Sequence, residues 1–446
     1  MDERYVVLGL ARTHDGWFGA VGRWSAAGSV PVEFVRCVSV DDLRARLEGT
    51  RRHSAILCDA SISGLDRDLV ATARDVDCPV VVVDGSAARA WEDIGVAAVL
   101  APAFSRDELI AVLAATSSML STARRVRRTA PAPQPATSGL LVAVTGPGGT
   151  GASTCAIALA QGLARVPPVE ATPRWSRWPR WRREPSGARR AVLLADLCRV
   201  ADQAMLHDAR TLAPGVQELA EAHRTSTPSP STVRAQTFEV AERGYRLLLG
   251  LRRPRHWTTL RPRSVEAMVE SLVRTAQVTV ADVDLDAEGE PETGSVDVGD
   301  RHAMARAVYA RADVVVVVGE PSMKGVHALV RAIGELVEVG VPPGRVLPVV
   351  NRSHRSPRAR RAVTAAIEEL IAPPGDVTAP GCALHLPRRG VEAALRDGTS
   401  LPTDLASTLA DRVTELADQF GDRAPVAAEA PVPVTPGSLA GLADTG

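Results

Sequence analysis

Residues 144–155 read VTGPGGTGASTC, with glycine at 146, 148, 149 and 151 between an apolar run and a helix-like stretch. Glycines there let the backbone wrap close to phosphate oxygens, and the N–H groups of the loop and of the following helix N-terminus supply positive field without any side chain. The candidate nucleotide-binding residues are therefore Gly146, Gly148, Gly149, Thr150, Gly151, Ala152, Ser153 and Thr154. Two acids end apolar runs downstream, Asp196 in AVLLADLC and Asp282 in VTVADV. Asn351 and Arg352 close a third apolar run, GRVLPVV. What the loop lacks is charge. An ammonium about 4 Å from a phosphate charge gives roughly 4 kcal/mol gross at an effective dielectric near 20, so its loss predicts weak binding and weaker catalysis.

Strand, glycine loop and helix in that order give a phosphate-loop match its meaning. The order is met by LLVAVT, the loop and STCAIALAQGLA, which open a domain expected over residues 139–422. Residues 1–120 alternate five short apolar runs (YVVLGL, VEFVRCV, AILCDA, PVVVVDG, AAVLAP) with helix-like stretches, and so predict a separate doubly wound parallel sheet of flavodoxin type with five strand and helix pairs. Between them, 121–138 has linker composition, and 423–446 is rich in Pro, Ala and Gly and reads as disordered. A chain of 446 residues accommodates two or three domains at roughly 100 to 200 residues each.

The first domain resembles the receiver domain of two-component signalling, with Asp59 at the phospho-acceptor position. Gly9, Leu10 and Ala11 stand where a receiver keeps its acidic pair, and Ala101 precedes Pro102 where it keeps a lysine. A docking pseudo-receiver is the resulting expectation, and a phosphorylation-dependent response regulator is the alternative. The second domain resembles the MinD/ParA family of P-loop ATPases. PGGTGAS at 147–153 matches its deviant Walker A loop with both lysines replaced, by Pro147 and Ala152. Asp196 matches the first acid of the DxD strand and Cys198 its second, Asp282 the Walker B aspartate, and Asn351 with Arg352 the Asn-Arg pair whose Asn meets adenine; the resemblance thereby implies Ser153, Asp196 and Asp282 as a candidate Mg²⁺ set, the two acids as candidate catalytic groups, and Asn351 and Arg352 as nucleotide-binding. The segment ALHLPRRGVEAALRDGTSLP matches the late LP…G-x-x-L segment. Lys324 is the only lysine in the chain, yet no arginine replaces the missing ones, so the charge itself is given up.

One branch fits best: CpaE/TadZ-like proteins pair a receiver-like domain with a MinD-like domain whose loop reads GGxGAST. The resemblance implies a cytoplasmic, dimeric localisation factor or scaffold that serves Tad-type pilus or secretion machinery, or septum placement. It would be recruited to pole, septum or membrane surface, and would bind ATP or ADP with Mg²⁺ weakly or not at all. The rival reading is an active ATPase in which Arg199 or Arg352 of a partner subunit replaces the lysines.

The insertion VEATPRWSRWPRWRREPSGARR spaces Trp175, Trp178 and Trp181 every third residue among arginines. A polyproline-type segment would align the rings on one edge, suited to an anionic membrane or an acidic groove and also to single-stranded nucleic acid; the plainer reading is a solvated loop. Lys and Arg total 52 against 52 Asp and Glu, which argues against a general nucleic-acid coat. The six cysteines show no metal or disulfide spacing, His207, His256, His302 and His354 form no ligand set, and no apolar run reaches membrane length. A soluble cytoplasmic protein is the expectation.

Overall fold

A computed structural model describes residues 4–12, 16–49, 51–86, 89–120, 139–165, 190–289, 296–371 and 382–420. The linker, the Trp175, Trp178 and Trp181 insertion and the C-terminal tail lie outside them. Among the described residues no helix is long and apolar enough to cross a membrane.

The first sheet contains β1 (Tyr5–Leu10), β2 (Val32–Arg36), β3 (Ala55–Asp59), β4 (Val80–Val83) and β5 (Ala98–Leu100), all parallel, in the order β2-β1-β3-β4-β5. Its crossover helices are α1 (Gly16–Ala26), α2 (Val40–Glu48) and α3 (Arg67–Asp75), and α4 (Arg106–Thr116) follows β5. The apolar faces of these helices close two clusters, one on each side of the sheet, as the buried central strands β1, β3 and β4 require. The expected five strand and helix pairs are met with one correction. The β4–β5 crossover is a single 3₁₀ turn, Trp91–Ile94, because Gly95 at φ +86° stops it at once.

The second sheet has β6 (Leu140–Thr145) near its centre, in the order β13-β12-β11-β6-β10-β7-β9-β8. Here β7 is Val192–Leu197, β8 Phe238–Val240, β9 Tyr245–Leu248, β10 Val278–Val283, β11 Val314–Gly319, β12 Val346–Ser353 and β13 Leu384–Pro387. Every pairing is parallel except the β8–β9 hairpin at one edge. Helix α5 (Ala152–Arg165) and the Thr403–Phe420 helix cover one face. They approach closely because α5 is rich in Ala and carries Gly162, where an added Cβ would sit 2.1 Å from the Ala406 carbonyl. Buried Gln161 pins the entry to the second helix, exchanging hydrogen bonds of 2.9 and 2.8 Å with the Leu401 backbone. Helices α7 (Val216–Thr225) and α9 (Pro262–Thr275), with Ala303–Tyr309 and Met323–Glu338, cover the other face. Two short helices, α6 (Gln203–Leu206) and α8 (Pro230–Ala235), lie in the β7–β9 connection.

The two sheets are joined by side chains of α3 that complete helix ends on the other unit. Helix α9 has no side-chain cap of its own at its N-terminus. The Asp68 carboxylate supplies one, accepting from Arg263 N (3.0 Å) and Ser264 Oγ (3.1 Å). At the opposite polarity Arg67 donates to the His223 and Ser226 carbonyls at the end of α7 (2.9 and 3.1 Å). Asp66, almost fully buried, caps α3 itself and pairs with Arg224 at 2.9 Å. Acid at a helix start and base at a helix end are the favourable signs for the helix dipole. Asp68→Ala is expected to lose about 1–2 kcal/mol and to speed hydrogen exchange at the first turn of α9. Unchanged exchange at residues 263–266 would mean that this cap does not hold the docking.

Candidate nucleotide site

Strand β6 delivers the glycine loop to the C-terminal edge of the second sheet, where ligands of open α/β sheets bind. The loop is pinched by Thr150, whose N and Oγ1 both donate to the Pro147 carbonyl (3.3 and 2.8 Å). Gly149 and Gly151 sit at φ +83° and +89°, a region that side chains resist. Gly146 has no room for a Cβ, which would lie 2.3 Å from the Val318 carbonyl, whereas Gly148 and Gly149 face open space. Among the described residues the backbone amides of Gly148, Gly149 and Gly151 have no protein acceptor. With the first turn of α5, which contains Ala152, Ser153 and Thr154, they form a concave row of donors.

Asn351 and Arg352 come from the end of β12 and brace this loop. Asn351 Nδ2 donates to the Thr150 carbonyl (2.8 Å) and its Oδ1 accepts from Arg352 N (2.8 Å), so the amide that the resemblance assigns to adenine is engaged with the loop. Arg352, at φ +50°, reaches the Gly149 carbonyl (3.3 Å) and pairs with Glu320 of the same chain. A cavity of about 570 Å³ opens beside them, lined by Gly151, Thr154, Asn351, Arg352, Arg388 and Arg389 among others. That volume falls in the range of small-molecule pockets. Three arginines, Arg352, Arg388 and Arg389, are among its lining residues. Two are already paired, Arg352 with Glu320 and Arg389 with Asp404.

Behind the loop lies the acid centre. Strands β7 and β10 run in register with Asp196 opposite Asp282, so two buried carboxylates end side by side, and Cys198 brings its sulfur within 4.8 Å of both. Gly250 lets Asp196 pack closely, since a Cβ there would lie 2.8 Å from its carboxyl carbon. Burial, then the neighbouring Asp282, push Asp196 well above the usual carboxylate range. Burial raises Asp282 to about 6 against the opposing hydrogen bonds from Gln203 and Ser153. Burial beside these acids likewise pushes the Cys198 thiol up.

A residue with no signal in the sequence stands among them. Gln203 is fully buried at the start of α6. Its Nε2 donates to Asp282 Oδ2 (2.7 Å) and to the Ser153 carbonyl (3.2 Å), and its backbone N donates to Asp196 Oδ2 (2.9 Å). His207 holds the turn. Its Nδ1 lies 2.7 Å from the Gln203 carbonyl, which can only accept, so Nδ1 carries the proton and Nε2 accepts from Tyr245 Oη (2.7 Å). Burial, with Arg243 nearby, lowers His207 to about 4 and keeps it neutral.

The Mg²⁺ set expected from the sequence, Ser153, Asp196 and Asp282, does not fit that ion as arranged. Mg²⁺ demands an octahedron of oxygens at about 2.0–2.1 Å. Here the Gln203 amide N–H occupies Asp282 Oδ2, the Ser153 side chain is itself bonded to Asp282, and the Cys198 sulfur lies within 4.8 Å of both acids. Arg199, offered by the rival reading, has its backbone N on Asp284 (2.8 Å) and one guanidinium nitrogen buried without a hydrogen-bond partner. Asp59 ends β3 apart from this site, its carboxylate accepting from Trp17 Nε1 (3.3 Å) and Ser61 N (2.8 Å). His256 bonds Gln217 and His302 the Glu288 carbonyl. Of the four histidines set aside from the sequence, His207 is the one that supports the acid centre.

No protein-family model matches the sequence, and no curated protein matches it. Solved structures do align with it. A ParA family ATPase from Chlorobium tepidum is 15% identical, with 64% of this chain and 98% of that one covered at a TM-score of 0.41. The cell division ATPase MinD of Pyrococcus furiosus is 17% identical over 62% of this chain and 99% of its own, also at 0.41. The septum site-determining protein MinD of Pyrococcus horikoshii, solved with Mg-ADP, is 16% identical over 64% and 99%, again at 0.41.

Proposed function

We propose that this chain is a nucleotide-responsive scaffold, one that holds ATP or ADP at the glycine loop without turning it over. The observation that carries the reading is the loop itself: free backbone amides at Gly148, Gly149 and Gly151, beside a cavity of about 570 Å³, with no ammonium to stabilise a transferring phosphoryl group. A donor row of this kind binds the ground state of a phosphate. It offers little that strengthens as charge moves, which is what catalysis needs.

The loss of charge at Pro147 and Ala152 is also the pattern behind the CpaE/TadZ resemblance. From it follow the finer parts of the proposal: a cytoplasmic homodimer that localises Tad-type pilus or secretion machinery, or marks a septum site, with residues 1–120 as a pseudo-receiver docking surface. Val200, Met205 and Leu212, exposed on the segment after β7, supply apolar surface for a second copy to cover.

Calorimetric titration of the full chain with ATP tests the reading. Binding is expected in the wild type and a loss of about tenfold in Asn351→Ala, which frees the Thr150 carbonyl and loosens the loop. No heat at high protein concentration and at two temperatures would reduce the loop to architecture and remove the nucleotide from the account.

A further inference from the structure

Behind the loop, where a phosphate site ordinarily meets a divalent cation, Ser153, Asp282 and Asp196 converge on Gln203, whose side chain bonds Asp282 and the Ser153 carbonyl and whose backbone N bonds Asp196. The placement is built on four contacts. Nε2 has two acceptors, Asp282 Oδ2 and the Ser153 carbonyl; the backbone N is fixed on Asp196; and the backbone carbonyl is fixed by His207. Oε1 is buried with no partner, so the amide orientation follows from the two acceptors on its nitrogen. An amide N–H brings a partial positive charge to Asp282 and presents no site for a metal. The Ser153 side chain is bonded to Asp282, and Cys198, beside both acids, is a soft donor that disfavours Mg²⁺.

Resting on the nucleotide reading just given, we infer that Gln203 takes the divalent cation's place in this chain, so that the loop binds its nucleotide as the metal-free anion and Mg²⁺ adds nothing to the affinity. Gln203 is a positioning residue here: it touches the acids and the loop backbone, and it fixes which form of the ligand the site accepts.

The test uses the full chain, wild type and Gln203→Ala, with two probes. Titrations with ADP in EDTA and in excess Mg²⁺ should give wild-type dissociation constants equal within about twofold, and a tightening by Mg²⁺ of about tenfold or more in Gln203→Ala. Mn²⁺ alone, followed by its paramagnetic resonance signal, needs no nucleotide. The wild type should leave it free to about 1 mM, while Gln203→Ala should take up one ion. Wild-type affinity that requires Mg²⁺, wild-type Mn²⁺ uptake that Asp282→Asn removes, or a folded Gln203→Ala that binds no Mn²⁺ would each overturn the assignment. Should the wild type bind no nucleotide at all, the nucleotide reading fails, and the Mn²⁺ titrations still decide what Gln203 does. Should Gln203→Ala not fold, the wild-type titrations decide alone.

Discussion

Replacing Arg243 with methionine is expected to cost about 3 kcal/mol of stability and to weaken binding at a site Arg243 does not touch. Arg243 is 1% exposed and among the described residues pairs with no carboxylate. Instead the guanidinium bridges three backbone carbonyls: Thr399 (2.9 Å), Leu206 (3.2 Å) and Ala394 (3.1 Å). Methionine fills much of the stem volume but leaves three buried acceptors unpaired. Each costs about 1–3 kcal/mol, offset in part by no longer burying a charge. Leu206 ends α6, the turn that carries Gln203, while Ala394 and Thr399 follow the cavity wall at Val391 and Glu392. Arg243 thus ties the acid centre to the pocket, and its loss should raise hydrogen exchange at residues 203–206 together with the denaturation change. A cost below about 1 kcal/mol in urea denaturation would show that water satisfies the carbonyls and that the tie is slack.

The second large effect runs the other way. Asp282→Asn is expected to stabilise the protein at pH 7.5 by up to about 3 kcal/mol, the equivalent of moving one carboxyl from its ordinary value to about 6. A carboxyl raised on folding binds more protons in the native state than in the unfolded one. Stability therefore falls as pH rises from about 4 to about 6 and stays lower above. Half-buried neutral His207, lowered to about 4, acts in the opposite sense, and its contribution is lost as pH falls from about 6.5 toward 4. The two slopes oppose each other in the wild type. The asparagine variant removes the Asp282 slope while buried Asp196 stays raised, so its stability should fall less with rising pH than the wild type's across that window, with the Gln203 amide still donating to the new carbonyl. Denaturation midpoints from pH 4 to 8 read both effects; an Asp282→Asn protein no more stable than wild type at pH 7.5 would mean that the acid pair is relieved some other way.

The strands that position the site were legible because valine-rich runs bounded by turns have few other uses, and Asp196 and Asp282 were legible as the acids that end two of them. Glycine spacing at 146–151 announced the loop for the same local reason. Gln203 was not legible. A single amide in a short turn has no periodicity, and its role exists only once β7, β10 and α5 bring Asp196, Asp282 and Ser153 to one point. Asn351 was legible as a site residue, but its hydrogen bond to the loop was not. Asp68 and Arg67 were hidden more deeply, since on α3 they read as ordinary solvated charges and their partners lie more than 150 residues away. The β8–β9 edge hairpin was missed because its strands have three and four residues, too short for an alternation to register.

Whether the loop holds a nucleotide without turning it over is decided by phosphate release from protein saturated with ATP, in the same solution where calorimetry shows it bound. Release is expected no faster than in protein-free buffer, with or without Mg²⁺, because neither an ammonium nor a cation meets the phosphates behind a closed acid centre. Steady release over many turnovers that Asp282→Ala abolishes would contradict this, and would make the loop a working catalyst with its charge supplied from elsewhere.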